Sequence, residues 1–189
     1  MIRIRQLNGL KNINKGMNIE ATFISKLRFI VMKNIILIIA TSLFLHFGCA
    51  SQGNGKVNWM TFEEAIDANQ LAPKKIFIDV YTKWCSWCKV MDNKTFSDST
   101  VAAYMNENFY CVKFDAESKD TIVYKEHKFY FVPEYKSHAL AVSLLDGKMS
   151  YPSYVFLTEK EQRLKIISGY QEKDVFLQNL KIIANFKEN

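Results

Sequence analysis

The stretch KKIFIDVYTKWCSWCKVMDNK, Lys74 to Lys94, constrains this chain more than any other. Ile76 to Tyr81 is almost wholly apolar and too short for a core helix, so it reads as a buried strand carrying one acid, Asp79. Cys85 and Cys88 follow directly, and KVMDNKTF beyond them has helical tendency. A CxxC in that setting puts its first cysteine near a helix N-terminus, where free N–H groups and the helix dipole favour a thiolate. Cys85 is then expected to be the more exposed nucleophile, attacking a disulfide to form a mixed disulfide. Cys88, one turn deeper, attacks Cys85 and releases the second partner. The reverse steps donate a disulfide. Every step involves only sulfur, so no cofactor is expected.

The same spacing also serves a structural disulfide or half of a zinc site. Zinc needs two further ligands, and the candidates are Cys111, His127 and His138. Cys111 falls in an apolar strand pattern and reads as an inert core thiol, and the histidines form no close ligand pair. No metal is therefore expected, while the spacing alone leaves a closed structural bridge open.

The N-terminal region reads differently from the rest. From Met32 the chain runs MKNIILIIATSLFLHFGCASQGNG: one lysine, an apolar run, then small residues, the layout of a secretory signal peptide with Met32 as the start. The run is shorter than the ~20 apolar residues a comfortable bilayer span needs. Residues 1–31 are then expected to be either an upstream over-extension of the reading frame or an unusually long basic lead. Gly48 and Ala50 make a small-x-small cleavage site that would remove Cys49, whereas Gly48-Cys49 also suits a lipoprotein signal in which Cys49 becomes the lipidated N-terminus. Residues 1–50 hold seven Lys or Arg and one acid, and the remainder holds eighteen of each sign, so the formal charge of +6 belongs to the leader. The mature chain has no basic excess with which to build a nucleic-acid surface.

Residues 51–58 are a polar tether, and 59–189 form one domain whose composition, 49% hydrophobic and 23% charged over the whole chain, suits a packed core. Thr61 with Glu64 is a capping box opening a helix, and Asp98 caps another over VAAYMNEN. Phe109 to Ala116 alternates as a second strand. Lys119 to Lys128 and Ser137 to Leu145 read as helices, and FYFVPEY between them is ambiguous. SYPSYVFLTE and RLKIISG form a hairpin, and Gln171 to Phe186 a closing helix. This order predicts an α/β fold with a central mixed sheet flanked by helices on both faces.

Taken together, these residues resemble the thioredoxin-like thiol–disulfide oxidoreductases, in particular a secreted branch with a Trp-Cys-x-Trp-Cys-Lys centre. The resemblance extends from Trp59 to Phe186. It implies a thioredoxin-like fold and gives Cys85 and Cys88 the catalytic role. It also makes Asp79 a buried acid–base group for the deeper cysteine, with Lys113 as its partner. Tyr151-Pro152 matches the cis-proline segment that faces the dithiol and pairs with an extended substrate, and Gly169 matches the glycine ending the last strand. Trp84 and Trp87 offer apolar substrate surface, and Lys89 favours the thiolate. Implied partners are disulfide-containing exported proteins and a membrane electron donor, with a monomer acting in the periplasm, held by a lipid anchor if Cys49 is modified. The alternative is a non-catalytic binding or chaperone-like envelope protein of the same fold. Two departures stand out: Ser86-Trp87 replaces the familiar Gly-Pro, and Tyr151 stands where a smaller residue is common. The segment from Asp115 to Tyr151 is longer than in minimal members and reads as packing bulk, given its many apolar side chains, or else as a partner-recognition surface.

Overall fold

The computed structural model describes residues 55–187; the leader, Met32, Cys49 and the start of the tether lie outside the described residues. The elements are β1 (Trp59–Met60), α1 (Phe62–Leu71), β2 (Lys75–Tyr81), α2 (Ser86–Lys94), α3 (Ser99–Asn108) and β3 (Phe109–Asp115). Then come β4 (Ile122–Tyr124), β5 (His127–Phe129), β6 (Phe131–Val132), a 3-10 turn (Pro133–Tyr135), β7 (Ser137–His138) and α4 (Ala139–Leu144). The hairpin β8 (Ser153–Leu157) and β9 (Arg163–Ser168) and the helix α5 (Lys173–Ala184) complete it.

The main sheet has the order β1-β3-β2-β8-β9, parallel across β1, β3 and β2 and antiparallel from β2 through β8 to β9. Because β2 is central, both of its faces are buried, which is why its sequence is a continuous apolar run rather than an alternation. Ile76, Ile78 and Val80 pack one way, with Phe62 and Ile66 of α1 and Leu140 and Leu144 of α4. Phe77 points the other way, into an aromatic cluster with Phe96, Tyr154, Phe156 and Phe176 and the Trp59 ring at its rim.

Local signals set the helix starts. The Thr61 hydroxyl accepts from Glu64 N–H at 3.1 Å while Thr61 N–H donates to the Glu64 carboxylate at 2.8 Å, the reciprocal capping box. Asp98 accepts from Thr100 N–H at 3.0 Å and Val101 N–H at 3.2 Å, and its other oxygen takes Lys173 Nζ at 3.2 Å, fastening α3 to the start of α5. Asn106 accepts from Asn58 N–H and donates to the Lys56 carbonyl, both at 2.8 Å, which fixes the entry to β1.

The region between β3 and β8 corrects two expectations. Residues 119–128 are not helical: β4 and β5 pair as a hairpin with Lys125 and Glu126 at its tip, both at positive φ, 48° and 66°. That tip conformation favours Gly or Asn, so Lys-Glu gives no turn signal in sequence. The β-branched run Thr121-Ile122-Val123 and the burial of Ile122 prevail over helical propensity. The second helix is shorter than 137–145 because Ser137 and His138 pair with β6, leaving α4 to begin at Ala139. His138 is fully buried and acts as the cap: its Nδ1 accepts from Leu140 N–H at 3.2 Å and its Nε2–H donates to the Asp120 carbonyl at 3.0 Å. Leu140, Ala141, Leu144 and Leu145 of this segment lie in the core, so much of the added length is packing.

The aromatic cluster is the dominant apolar mass on the side of the sheet that carries α2. Phe77 is fully buried against four aromatic rings of other elements besides Trp59. Replacing it leaves a void its neighbours cannot all fill. Phe77→Ala is therefore expected to lower the unfolding free energy by ~3–5 kcal/mol in urea titration. Val175→Ala, at a half-exposed position of α5, should cost well under ~1 kcal/mol. Equal losses for the two would contradict this assignment of the core.

Candidate active site

Strand β2 ends at Tyr81, and Thr82 to Trp84 carry the chain to Cys85, the N-cap of α2. Cys85 and Cys88 form a disulfide, with their Cα atoms 5.3 Å apart. Cys88 N–H donates to Cys85 Sγ at 3.1 Å, so the helix N-terminus turns a donor onto the first sulfur as the CxxC pattern requires. The expected contrast in exposure is small in this disulfide form: Cys85 is 4% exposed and Cys88 2%. The two tryptophans next to the cysteines in sequence are accessible, Trp84 at 63% and Trp87 at 58%.

Behind the cysteines, the sheet register makes a polar row in an otherwise apolar face. Asp79 of β2 pairs with Lys113 of β3 and with Tyr154 of β8, so the three side chains point to the same side as the aromatic cluster. Lys113 Nζ donates to Asp79 Oδ2 at 2.6 Å and also to Asp92 Oδ1. Asp92 stands one turn beyond Cys88 on α2, and this i, i+4 relation puts both on one helix face. The ammonium also sits 5.0 Å from the Trp59 and Tyr81 ring centroids and 5.4 Å from that of Phe96, a cation–π cage that holds it in place.

Burial pushes the Asp79 carboxyl up to about 6, against the pull of Lys113, with Asp92 adding to the rise. For Lys113, burial pulls down, but the two carboxylates prevail and hold it above the usual lysine range. Asp79 can therefore take or give a proton near neutrality, whereas Lys113 stays charged. Cys111 is pushed up to about 12 by burial, partly opposed by Lys74, so it remains a thiol and takes no part in exchange.

Around the cysteines the structure collects the remaining residues. Tyr151-Pro152 is a cis peptide, and Tyr151 meets Trp84 edge to face at 5.8 Å, placing the proline segment beside the residue that precedes Cys85. Gly169, at φ 88°, donates its N–H to the Pro152 carbonyl at 2.8 Å and so ties the end of β9 to that segment. Trp87 leans on Tyr170 at 5.4 Å, and Trp84 Nε1–H donates to Glu117 Oε1 at 3.0 Å. Lys89 is solvent-exposed on α2. His127 is exposed at a hairpin and His138 is buried far along the sequence from the cysteines, and no group of three or more metal-ligating side chains forms among the described residues. Asp92, Trp59, Glu117 and Tyr170 were not singled out in the sequence. Only Asp92 carried a usable signal, its helical spacing from Cys88.

A family model, Thioredox_DsbH, described as a protein of unknown function, DUF255, matches residues 36–179. The chain belongs to this family. It has the thioredoxin-like fold. A thioredoxin from Thermus thermophilus is similar in structure, with TM-score 0.52 and 15% identity, covering 69% of this chain and 88% of the other. A DsbH oxidoreductase is similar at TM-score 0.50 and 14% identity, covering 70% of this chain and 87% of the other. In sequence, the mouse (Mus musculus) spermatogenesis-associated protein 20 is 33% identical over 67 residues, 35% of this chain. That match spans only 8% of the mouse protein's length.

The raised Asp79 carboxyl has a consequence for stability. Between its unfolded value of 3.8 and its folded value of about 6, the folded chain holds a proton that the unfolded chain has released. Stability linked to this group is thus full below pH 3.8 and is lost as pH rises through about 6. Relative to Asp79→Asn, the wild type should lose on the order of 3 kcal/mol across that window, measured by urea titration at each pH. A difference independent of pH would contradict the assigned burial.

Proposed function

We propose that the chain is an extracytoplasmic thiol–disulfide oxidoreductase that reduces or rearranges disulfides of exported proteins. The observation that carries this reading is the Cys85–Cys88 disulfide at the N-terminus of α2, backed by the Asp79–Lys113 pair. In the reduced form, the Cys85 thiolate attacks one sulfur of a substrate disulfide. The substrate S–S bond breaks, a Cys85–substrate bond forms, and the departing substrate sulfur is protonated. Cys88 then gives its proton to the Asp79 carboxylate and attacks Cys85 Sγ. The mixed disulfide breaks, and the second substrate sulfur leaves as a thiolate that takes up a proton. The substrate gains two electrons and two protons, and the Cys85–Cys88 bond is restored. A dithiol partner at the membrane reduces it again. Trp84 and Tyr151 form the apolar wall against which the substrate chain lies, beside Pro152.

Export rests on the signal-like segment beginning at Met32, and Cys49 is either the lipidated N-terminus or lost with the signal. The similarity to a structure described as a DsbH oxidoreductase supports the reaction class. Its balanced mature charge supports a role that does not involve nucleic acid.

Thiol-dependent insulin reduction by the full chain tests the reading. Cys85→Ser and Cys88→Ser should each lower turnover by about a hundredfold or more. Cys88→Ser should also accumulate mixed disulfides through Cys85, visible on non-reducing gels and lost on adding dithiothreitol. Unchanged turnover in both variants would refute the proposal, and a folded wild type that neither turns over insulin nor traps partners would favour a binding module.

A further inference from the structure

Tyr154 sits two residues after Pro152 on β8, in register with Asp79, and so continues the row begun by Lys113. Its side chain is fully buried, stacked on Phe77 at 5.9 Å and held edge-on by Phe96 at 6.0 Å, with Phe176 at 5.4 Å. These rings fix the position of its hydroxyl. That hydroxyl is buried without a hydrogen-bond partner, and so is Asp79 Oδ1, whereas Oδ2 is taken by Lys113. A phenylalanine would fill the aromatic cluster equally well, and leaving a buried O–H unpaired costs about 1–3 kcal/mol. The two unpaired atoms are complementary, since an ionised carboxylate oxygen accepts and a phenol donates.

The charged and titratable surroundings are few. Asp79 faces Lys113 from β3, Asp92 from α2 and Tyr81 along its own strand; Tyr154 faces Asp79, Asp92 and Tyr170. Burial, reinforced by the charges of Asp79 and Asp92, pushes the Tyr154 phenol upward, so it keeps its proton at neutral pH.

We propose that Tyr154 is a positioning residue whose hydroxyl donates to Oδ1 of ionised Asp79 across one bridging water and so orients the carboxylate that serves Cys88. The service to Cys88 rests on the reaction proposed above. The donor favours the charged carboxylate, so Tyr154 and Lys113 grip its two oxygens from opposite neighbouring strands and together oppose the effect of burial.

The test is a carboxyl carbon-13 NMR titration of Asp79 in the full chain, oxidised, as wild type and as Tyr154→Phe. The variant should raise the Asp79 midpoint by about one pH unit, because a hydrogen bond to the charged form has been lost. In the wild type, the Cζ resonance of Tyr154 should move with that same midpoint. An unchanged midpoint in the variant overturns the proposal. If the variant does not fold, a Tyr154 resonance that stays flat through the Asp79 titration overturns it equally. Neither readout depends on turnover. An active chain with an unmoved midpoint removes this inference and leaves the oxidoreductase reading, and an inactive chain with a shifted midpoint does the reverse.

Discussion

The Lys113 ammonium, held between Asp79 and Asp92 beneath a roof of aromatic rings, is the interaction on which the site depends. A carboxylate as deeply buried as Asp79 is costly when charged, and without a cation it would simply stay protonated. Lys113 keeps the charged form accessible at neutral pH, while burial still holds the carboxyl at about 6, above the ordinary range. The resulting carboxyl, poised near neutrality, can exchange a proton where a surface aspartate would stay ionised.

That cluster exists because three structural requirements coincide. The parallel register of β2 with β3 brings Asp79 level with Lys113, and the antiparallel register with β8 brings Tyr154 to the other side. The helical spacing of α2 delivers Asp92 from above, on the same face as Cys88. A one-residue slip in either strand pairing would send a member of the row to the opposite face, into the aliphatic core around Ile78 and Val80. The aromatic cluster that fixes the register is thus also what aims the polar groups.

Much of this was legible in the sequence where local chemistry and periodicity agree. The apolar run Ile76–Val80, interrupted only by Asp79, announces a central strand, and Thr61 with Glu64 announces a helix start. Cys85 and Cys88 declare themselves by spacing. The placement of Lys113 and the cis Tyr151-Pro152 peptide followed from resemblance, not from periodicity. What stayed hidden depends on partners distant in sequence. Tyr154 is one aromatic residue in a strand rich in them until the register sets it beside Asp79. Trp59 belongs to a strand of two residues, too short to show alternation. The β4–β5 hairpin turns through Lys125-Glu126, residues that carry no turn signature and adopt positive φ only in this context. Glu117 and Tyr170 reach the tryptophans from loops, and loops have no period to read.

The central claim is that Cys85 and Cys88 form a reversible redox couple rather than a fixed staple. The most direct measurement equilibrates the folded full chain with glutathione buffers of graded composition, alkylates the free thiols and counts them by mass. The account predicts a single two-electron transition in which Cys85 and Cys88 become alkylated together, with Cys111 protected in its core position. A bridge that stays closed in every buffer until the chain unfolds would contradict it.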